Sequence, residues 1–217
     1  NPNSLTVTYS SSDNNVATVA DNGAITIKAA GVVVITAAFA GDASYLEGSA
    51  KYTLCVTEHA GTEADPYQIA SADDMLKIKE HTVPGQTTFF KMTADVDMAA
   101  VEYVPTDSLA MVHFDGDNHT VANLKTPLFG TCVSCKNLTV TGSDVSPKFV
   151  SGLLAQVIGA TDVPATLTNV KIQGKITAAA VNYLGGFAGK SVSDLNMTDC
   201  SADVIIASSG SSVAGLI

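Results

Sequence analysis

Hydrophobic and polar positions alternate in two different ways along this chain. Between Leu5 and Thr57 the period is two: Ile25 and Ile27 alternate with Thr26 and Lys28, while Val33, Ile35, Ala37 and Phe39 share one face. Tyr52, Leu54 and Val56 likewise oppose Lys51, Thr53 and Thr57. Such alternation predicts half-buried β-strands. Turn residues separate them: Asp21-Asn22-Gly23, where an Asn-Gly pair tolerates positive φ, then Gly31, then Gly41-Asp42. The expected element over residues 1–57 is a small β-sandwich.

Residues 58–66 are polar, carry Gly61 and Pro66 and show no periodicity, so they read as a linker. Ser71-Ala-Asp-Asp74 supplies an N-cap and an acidic first turn for a short helix near 72–80, with Met75, Leu76 and Ile78 as its apolar contacts. Beyond Phe114-Asp-Gly-Asp-Asn-His-Thr-Val-Ala-Asn-Leu124 the pattern becomes a loose repeat. Small apolar clusters recur at Pro127-Leu-Phe-Gly130, Ser151-Gly-Leu-Leu-Ala155, Leu184-Gly-Gly-Phe-Ala-Gly189 and Val213-Ala-Gly-Leu-Ile217. Between them lie alternating segments at Asn137-Leu-Thr-Val140, Asn169-Val-Lys-Ile172 and Asp194-Leu-Asn-Met197. These spacings fit repeats of about 20–45 residues. A solenoid over 67–217 is expected, with the helix laid across its first unpaired strands to prevent end-to-end association.

Two segments resemble known modules. Tyr9 to Val19, Asn22-Gly-Ala-Ile25, Ala30-Gly31, Ile35-Thr36 and Tyr52-Thr-Leu-Cys-Val56 are similar to a bacterial Ig-like domain of group 2 over positions 5 to 57. Ig-type sandwiches usually take about 100 residues and seven strands, so an opening strand is expected to be missing, leaving an exposed edge or a swapped partner strand. Gly61-Thr-Glu-Ala-Asp-Pro-Tyr67, the helix, Phe89 to Met98, Phe114 to Val121 and Leu128-Phe-Gly130 resemble the β-helix regions of bacterial surface proteins with GLUG-type repeats, over about Gly61 to Ile217. Where that pattern commonly has Gly this chain has Asn118, which also visits the left-handed region, so the tight turn is retained. The resemblance implies an all-β chain: a partial Ig-like sandwich followed by a right-handed parallel β-helix with a short N-terminal capping helix. It also implies extracellular display on a bacterial cell surface, with adhesive or matrix-binding roles and no fixed catalytic site.

Composition narrows the partners. With 217 residues, 46% hydrophobic and 15% charged, the chain has apolar mass for one or two packed domains. No apolar run approaches the ~18 residues needed to span a bilayer. Asn1-Pro-Asn-Ser4 lacks the features of a signal peptide, so a mature or trimmed product is expected, with membrane association only through an anchor outside the chain. There is no Arg and no Trp, and the formal charge is −10. A polyphosphate ligand wants a cationic surface and the bidentate Arg fork, which argues against nucleic acid.

Candidate chemistry is sparse. Asp95 and Asp97 share one face of an expected strand and offer an acid/base pair or cation site, against the plainer reading of turn and backbone hydrogen bonds, which we prefer. Asp115, Asp117 and Asn118 form an oxygen-rich loop with some Ca²⁺ character. That ion takes about 6–8 oxygens and no full loop signature follows, so an Asx-type turn is preferred. Cys132-Val-Ser-Cys135 lacks the second pair of a structural zinc site, and the four cysteines read as small hydrophobes or interior ladder residues, with a Cys132–Cys135 disulfide as the alternative. His59, His81, His113 and His119 show no ligand spacing, and no Gly-x-Ser-x-Gly elbow occurs. Asp107-Ser-Leu109 resembles a short O-glycosylation acceptor motif of exported bacterial proteins, which makes Ser108 a candidate modification site.

The expected function is therefore a non-enzymatic, cell-surface adhesin-like protein binding a host glycan or extracellular matrix protein through exposed β-helix faces. Parallel β-helices also host polysaccharide lyases and hydrolases, but lyase chemistry without Arg would fall to Lys or bound Ca²⁺, and no Lys–Asp cluster is expected on one level. A stalk or spacer is the third reading. Val213-Ala-Gly-Leu-Ile217 ends on an apolar segment, so further repeats, or a homodimer through this end or the Ig-like edge, are expected.

Overall fold

The computed structural model describes residues 5–56, 59–105, 110–148, 150–179, 181–210 and 212–217. The chain divides into two compact units, Asn1–Ala60 and Gly61–Ile217. Both are all-β apart from one short helical segment in the second.

In the first unit, β1 (Val7–Ser11), β4 (Gly31–Phe39) and β5 (Gly48–Val56) form an antiparallel sheet in the order β1-β4-β5, and β2 (Ala17–Val19) pairs with β3 (Ile25–Ile27) in a separate ribbon. The Asp21-Asn22-Gly23 turn forms as expected: Gly23 has φ +84°, and Asn22 Oδ1 accepts the Ala24 N–H at 3.0 Å. The core is small, with Val16, Ala17, Val33 and Ile35 buried and Val19, Leu54 and Val56 packed against them. Three side chains expected on a buried strand face are open to solvent. Ile27 and Tyr52 are each 50% exposed and Ile25 36%, because a ribbon of two three-residue strands covers only the part of the larger sheet around Val33 and Ile35.

The second unit begins with β6 (Tyr67–Ile69) and α1 (Ala72–Lys77), which continues as a 3₁₀ turn over Ile78–His81. Ser71 caps α1: its side chain accepts the Asp74 N–H, and the Asp74 carboxylate returns to the Ser71 hydroxyl at 2.8 Å and the Ala70 N–H at 3.1 Å. This reciprocal bonding satisfies donors that a helix start leaves open. Met75 and Ile78 enter the core beside Ile69, whereas Leu76, expected to join them, is 38% exposed. A six-residue helix has room for one narrow apolar stripe, and Leu76 lies off it.

The rest is one parallel assembly. It contains β7 (Thr87–Met92), β8 (Val96–Asp97), β9 (Met111–Asp115), β10 (Thr120–Ala122), β11 (Phe129–Val145), β12 (Ala155–Ile158), β13 (Ala165–Ala178), β14 (Ala188–Ser191), β15 (Leu195–Thr198) and β16 (Ser201–Ser208). With β6 these make an eleven-stranded sheet whose pairings are all parallel. Corresponding residues stack in columns. One runs Tyr67, Phe90, Phe114, Cys135, Leu167, Met197, and another Val96, Val121, Val140, Ile172, Ala202. Most of these side chains are buried in a single core. The recurring apolar clusters are likewise bonded one to the next: Phe129 N–H to Leu154 C=O at 2.8 Å, Leu154 N–H to Phe187 C=O at 3.0 Å, and Phe187 N–H to Leu216 C=O at 2.9 Å.

Left-handed residues let a strand turn a corner and shift its in/out phase by one, so that Cys135 and Leu138, or Leu167 and Val170, both face in. Asn118, Asn137, Asn169 and Asp199 hold φ of +67°, +53°, +52° and +54° at matching places in successive pairings. Asn tolerates this region because its short amide bonds locally. Here the amides also bond to one another, Asn169 Nδ2 donating to Asn137 Oδ1 at 3.2 Å. The alignment expected of Asp194 with Asn169 is corrected: Ala165 pairs with Leu195 and Lys171 with Ser201, so Asp199 is the counterpart of Asn169.

Part of the expected linker is built into the second unit. Thr62 and Asp65 exchange backbone hydrogen bonds at 3.2 Å, and Gly61 C=O accepts the Phe89 N–H at 2.9 Å. Gly61, at φ +68°, lies so close under the Tyr67 ring that an added Cβ would collide with it.

Candidate binding cleft

The outward-facing positions of β7, β9, β11 and β13 form two rows. One is Phe89, His113, Ser134, Thr166 and the other Lys91, Asp115, Lys136, Thr168. The turn at 61–66 stands over one end of these rows, with Glu63, Ala64 and Pro66 as a wall, and encloses a cleft of about 450 Å³. A second concavity, beside Pro84, Met111, Val157 and Val192, holds about 580 Å³ but no titratable side chain lines it.

Ser134 owes its position to a register slip. Cys132 pairs with Val112, yet Ser134 pairs with His113, so Val133 is an extra residue on β11. Such a bulge reverses the in/out phase. Alternation from the buried Cys132 would point Ser134 inward. Instead Ser134 faces out with its Oγ 2.8 Å from His113 Nδ1, and Cys135 faces in. The His113 ring stacks on Phe89 with centroids 4.5 Å apart at 24°. Partial burial lowers the His113 pKa from its ordinary value, opposed by the nearby Glu63 carboxylate.

The second row is charged and internally paired. Lys136 Nζ lies 3.2 Å from Asp115 Oδ2, and Lys91 Nζ 3.1 Å from Asp117 Oδ2. Asp115 Oδ1 also accepts the Asp117 N–H at 3.0 Å and Asn137 Nδ2 at 3.3 Å. Burial pushes the Asp115 carboxyl up, but the Asp117 N–H, Lys136 and Asn137 together outweigh it and hold it below the ordinary carboxylate value. Two candidate Ca²⁺ carboxylates thus face lysine ammonium groups; the Asx-type turn is made by Asp115 Oδ1 on the Asp117 N–H, while Asn118 gives its backbone N–H to Asn137 C=O at 2.8 Å. Among the described residues no group of three His, Cys, Asp or Glu is placed to hold a metal.

Asp95 and Asp97 spend their oxygens on the chain. Asp95 Oδ1 accepts the Thr120 N–H at 2.8 Å and lies 3.2 Å from His119 Nδ1; Asp97 Oδ1 accepts Asn123 Nδ2 at 2.8 Å and the Ala99 N–H at 2.9 Å. These bonds, Thr120 first for Asp95 and Asn123 first for Asp97, lower both pKa values. Cys132 and Cys135 are buried free thiols whose pKa values burial raises. Ser108 and its motif lie outside the described residues. Phe89, His113, Ser134 and Glu63 were not singled out together from sequence, since only the parallel register joins them.

No protein-family model matches the chain, and it has no match among curated proteins. It is similar in structure to a protein from Bacteroides ovatus that is provisionally named an immunoglobulin A1 protease, with TM-score 0.59 and 22% identity. The match covers 66% of this chain and 49% of that protein, so this chain corresponds to about half of its length. At that identity the likeness concerns the fold.

Proposed function

We propose that the second unit is a right-handed parallel β-helix closed at one end by α1, that the first is a partial Ig-like module of group 2, and that together they belong to an extracellular, adhesin-like protein of the bacterial surface. The columns of stacked core residues support the helix reading, and the crossover preference of parallel strands supports its hand. The function is recognition of a glycan or an extracellular protein by the outer β-helix face. The observation that carries it is the walled cleft, floored by two adjacent rows of hydroxyl, charged and aromatic side chains on paired strands.

The Ser134–His113 contact favours a hydrolytic reading, and the neighbouring protein bears a protease name. Acyl transfer also needs donors, from backbone or side chains, aimed at an oxyanion. Ser134 pairs with His113 on one side and Thr166 on the other, so its own backbone lies in the sheet ladder and only the bulged Val133 beside it falls outside these pairings. Recognition fits that geometry better than catalysis. The test is a binding screen of the whole chain against glycans and matrix proteins, with Ca²⁺ and with chelator. Saturable binding is expected. A blank against both classes overturns the reading and leaves a spacer.

A further inference from the structure

We propose, resting on the recognition role above, that the cleft over β7, β9 and β11 binds an uncharged saccharide against the Phe89–His113 ring pair and discriminates against acidic sugars.

Three observations carry this. First, the two half-buried rings stack face to face, centroids 4.5 Å apart, and their outward edges make one apolar ridge in a face otherwise made of polar and charged side chains. A pyranose has the complementary design, with C–H groups on one face and hydroxyls around its rim. Second, the groups beside this ridge are amphoteric: the hydroxyls of Ser134, Thr166 and Thr168 each donate and accept, as sugar hydroxyls do. An extended peptide would instead seek an open strand edge, and β9 and β11 are paired on both sides here. Third, the charges cancel. Lys91 and Lys136 are engaged by Asp117 and Asp115, which leaves the Glu63 carboxylate at the wall of a chain with formal charge −10. A carboxylated or sulfated sugar would compete with Asp115 or Asp117 for a lysine and approach Glu63.

The test uses the whole chain and matched probes: lactose against sialyl-lactose, and neutral xylo-oligosaccharides against their glucuronic-acid-substituted forms. The neutral member of at least one pair is expected to bind about tenfold or more tightly than its acidic form. F89A should weaken neutral binding about tenfold, and F89Y should retain it, since the ring is kept. E63Q, on the exposed wall, should narrow the neutral-to-acidic ratio. If F89A fails to fold, F89Y and E63Q decide the matter. Equal or tighter binding of the acidic members overturns this inference, as does neutral binding that survives in a folded F89A chain. Binding to matrix proteins alone does the same, and in each of these cases the broader recognition role stands. Binding to neither class overturns both.

Discussion

Ser134 Oγ lies 2.8 Å from Nδ1 of His113, a residue 21 positions earlier in the chain and directly beside it on the neighbouring strand. Both are half-buried, so water replaces the lost partner when one is removed. S134A is therefore expected to cost no more than about 1 kcal/mol, the net worth of an ordinary hydrogen bond. Urea unfolding checks this.

Acid should destabilise the chain in two stages. Desolvation holds His81 and His113 below the ordinary 6.5, opposed by Glu80 and Glu63 respectively, so between their folded values and 6.5 the unfolded chain binds more protons. Stability from these histidines is present above 6.5 and lost as pH falls through the folded values. Asp74, Asp95, Asp97 and Asp115, all depressed below 3.8, contribute stability that is present above 3.8 and lost as pH falls further. Thermal unfolding from neutral pH to below 3.8 should show both stages, and a melting temperature that rises on acidification would contradict the assignment.

The Asn ladder separates backbone conformation from side-chain bonding. Asn137 holds φ +53°, donates to Asp115 and accepts from Asn169. N137G keeps the left-handed backbone accessible and loses the amide, whereas N137A loses the amide and adds left-handed strain of roughly 1–2 kcal/mol. N137A should be the less stable by about that margin in denaturant unfolding.

Gly152 lies where an added Cβ would run into the backbone of Phe187 and Ala188 in the next repeat. Backbone cannot rotate aside as a side chain does, so G152A is expected to destabilise by about 1–3 kcal/mol or more. Calorimetry would read this as a lower melting temperature, and an unchanged one would refute the close approach.

Tyr103 is buried and its hydroxyl donates to Leu128 C=O at 2.7 Å, which ties the segment before β9 to the start of β11. Y103F removes the donor and leaves that carbonyl short of a partner, at a cost of about 1–3 kcal/mol. The same equilibrium unfolding measurement tests it.

Much of the local structure was legible. The Asn22-Gly23 turn, the Ser71 cap and the left-handed Asn118 each follow from the conformational range of one or two residues, and all three formed. Alternation announced the Asn169–Ile172 part of β13, where Val170 and Ile172 face in and Lys171 out. Leu76 and Tyr52 went the other way because burial needs a covering partner, which the pattern of one segment does not contain. The recurring clusters were visible as a repeat, yet their alignment was not: Asp194 resembles Asn169 in its surroundings, while Asp199 occupies the equivalent corner.

By itself, the sequence determined an all-β chain, its turn positions and one capped helix, because those depend on torsions and side-chain bonds within a few residues. Tertiary structure decided which strand lies beside which, and with that the cleft. His113, Ser134 and Phe89 meet only through parallel registers chosen by the summed burial of whole columns, and through one extra residue, Val133, that reverses the phase of β11. Glu63 joins them because the turn carrying it bonds at Gly61 to β7. No local preference encodes such pairings, since their energy is shared among residues far apart in the chain.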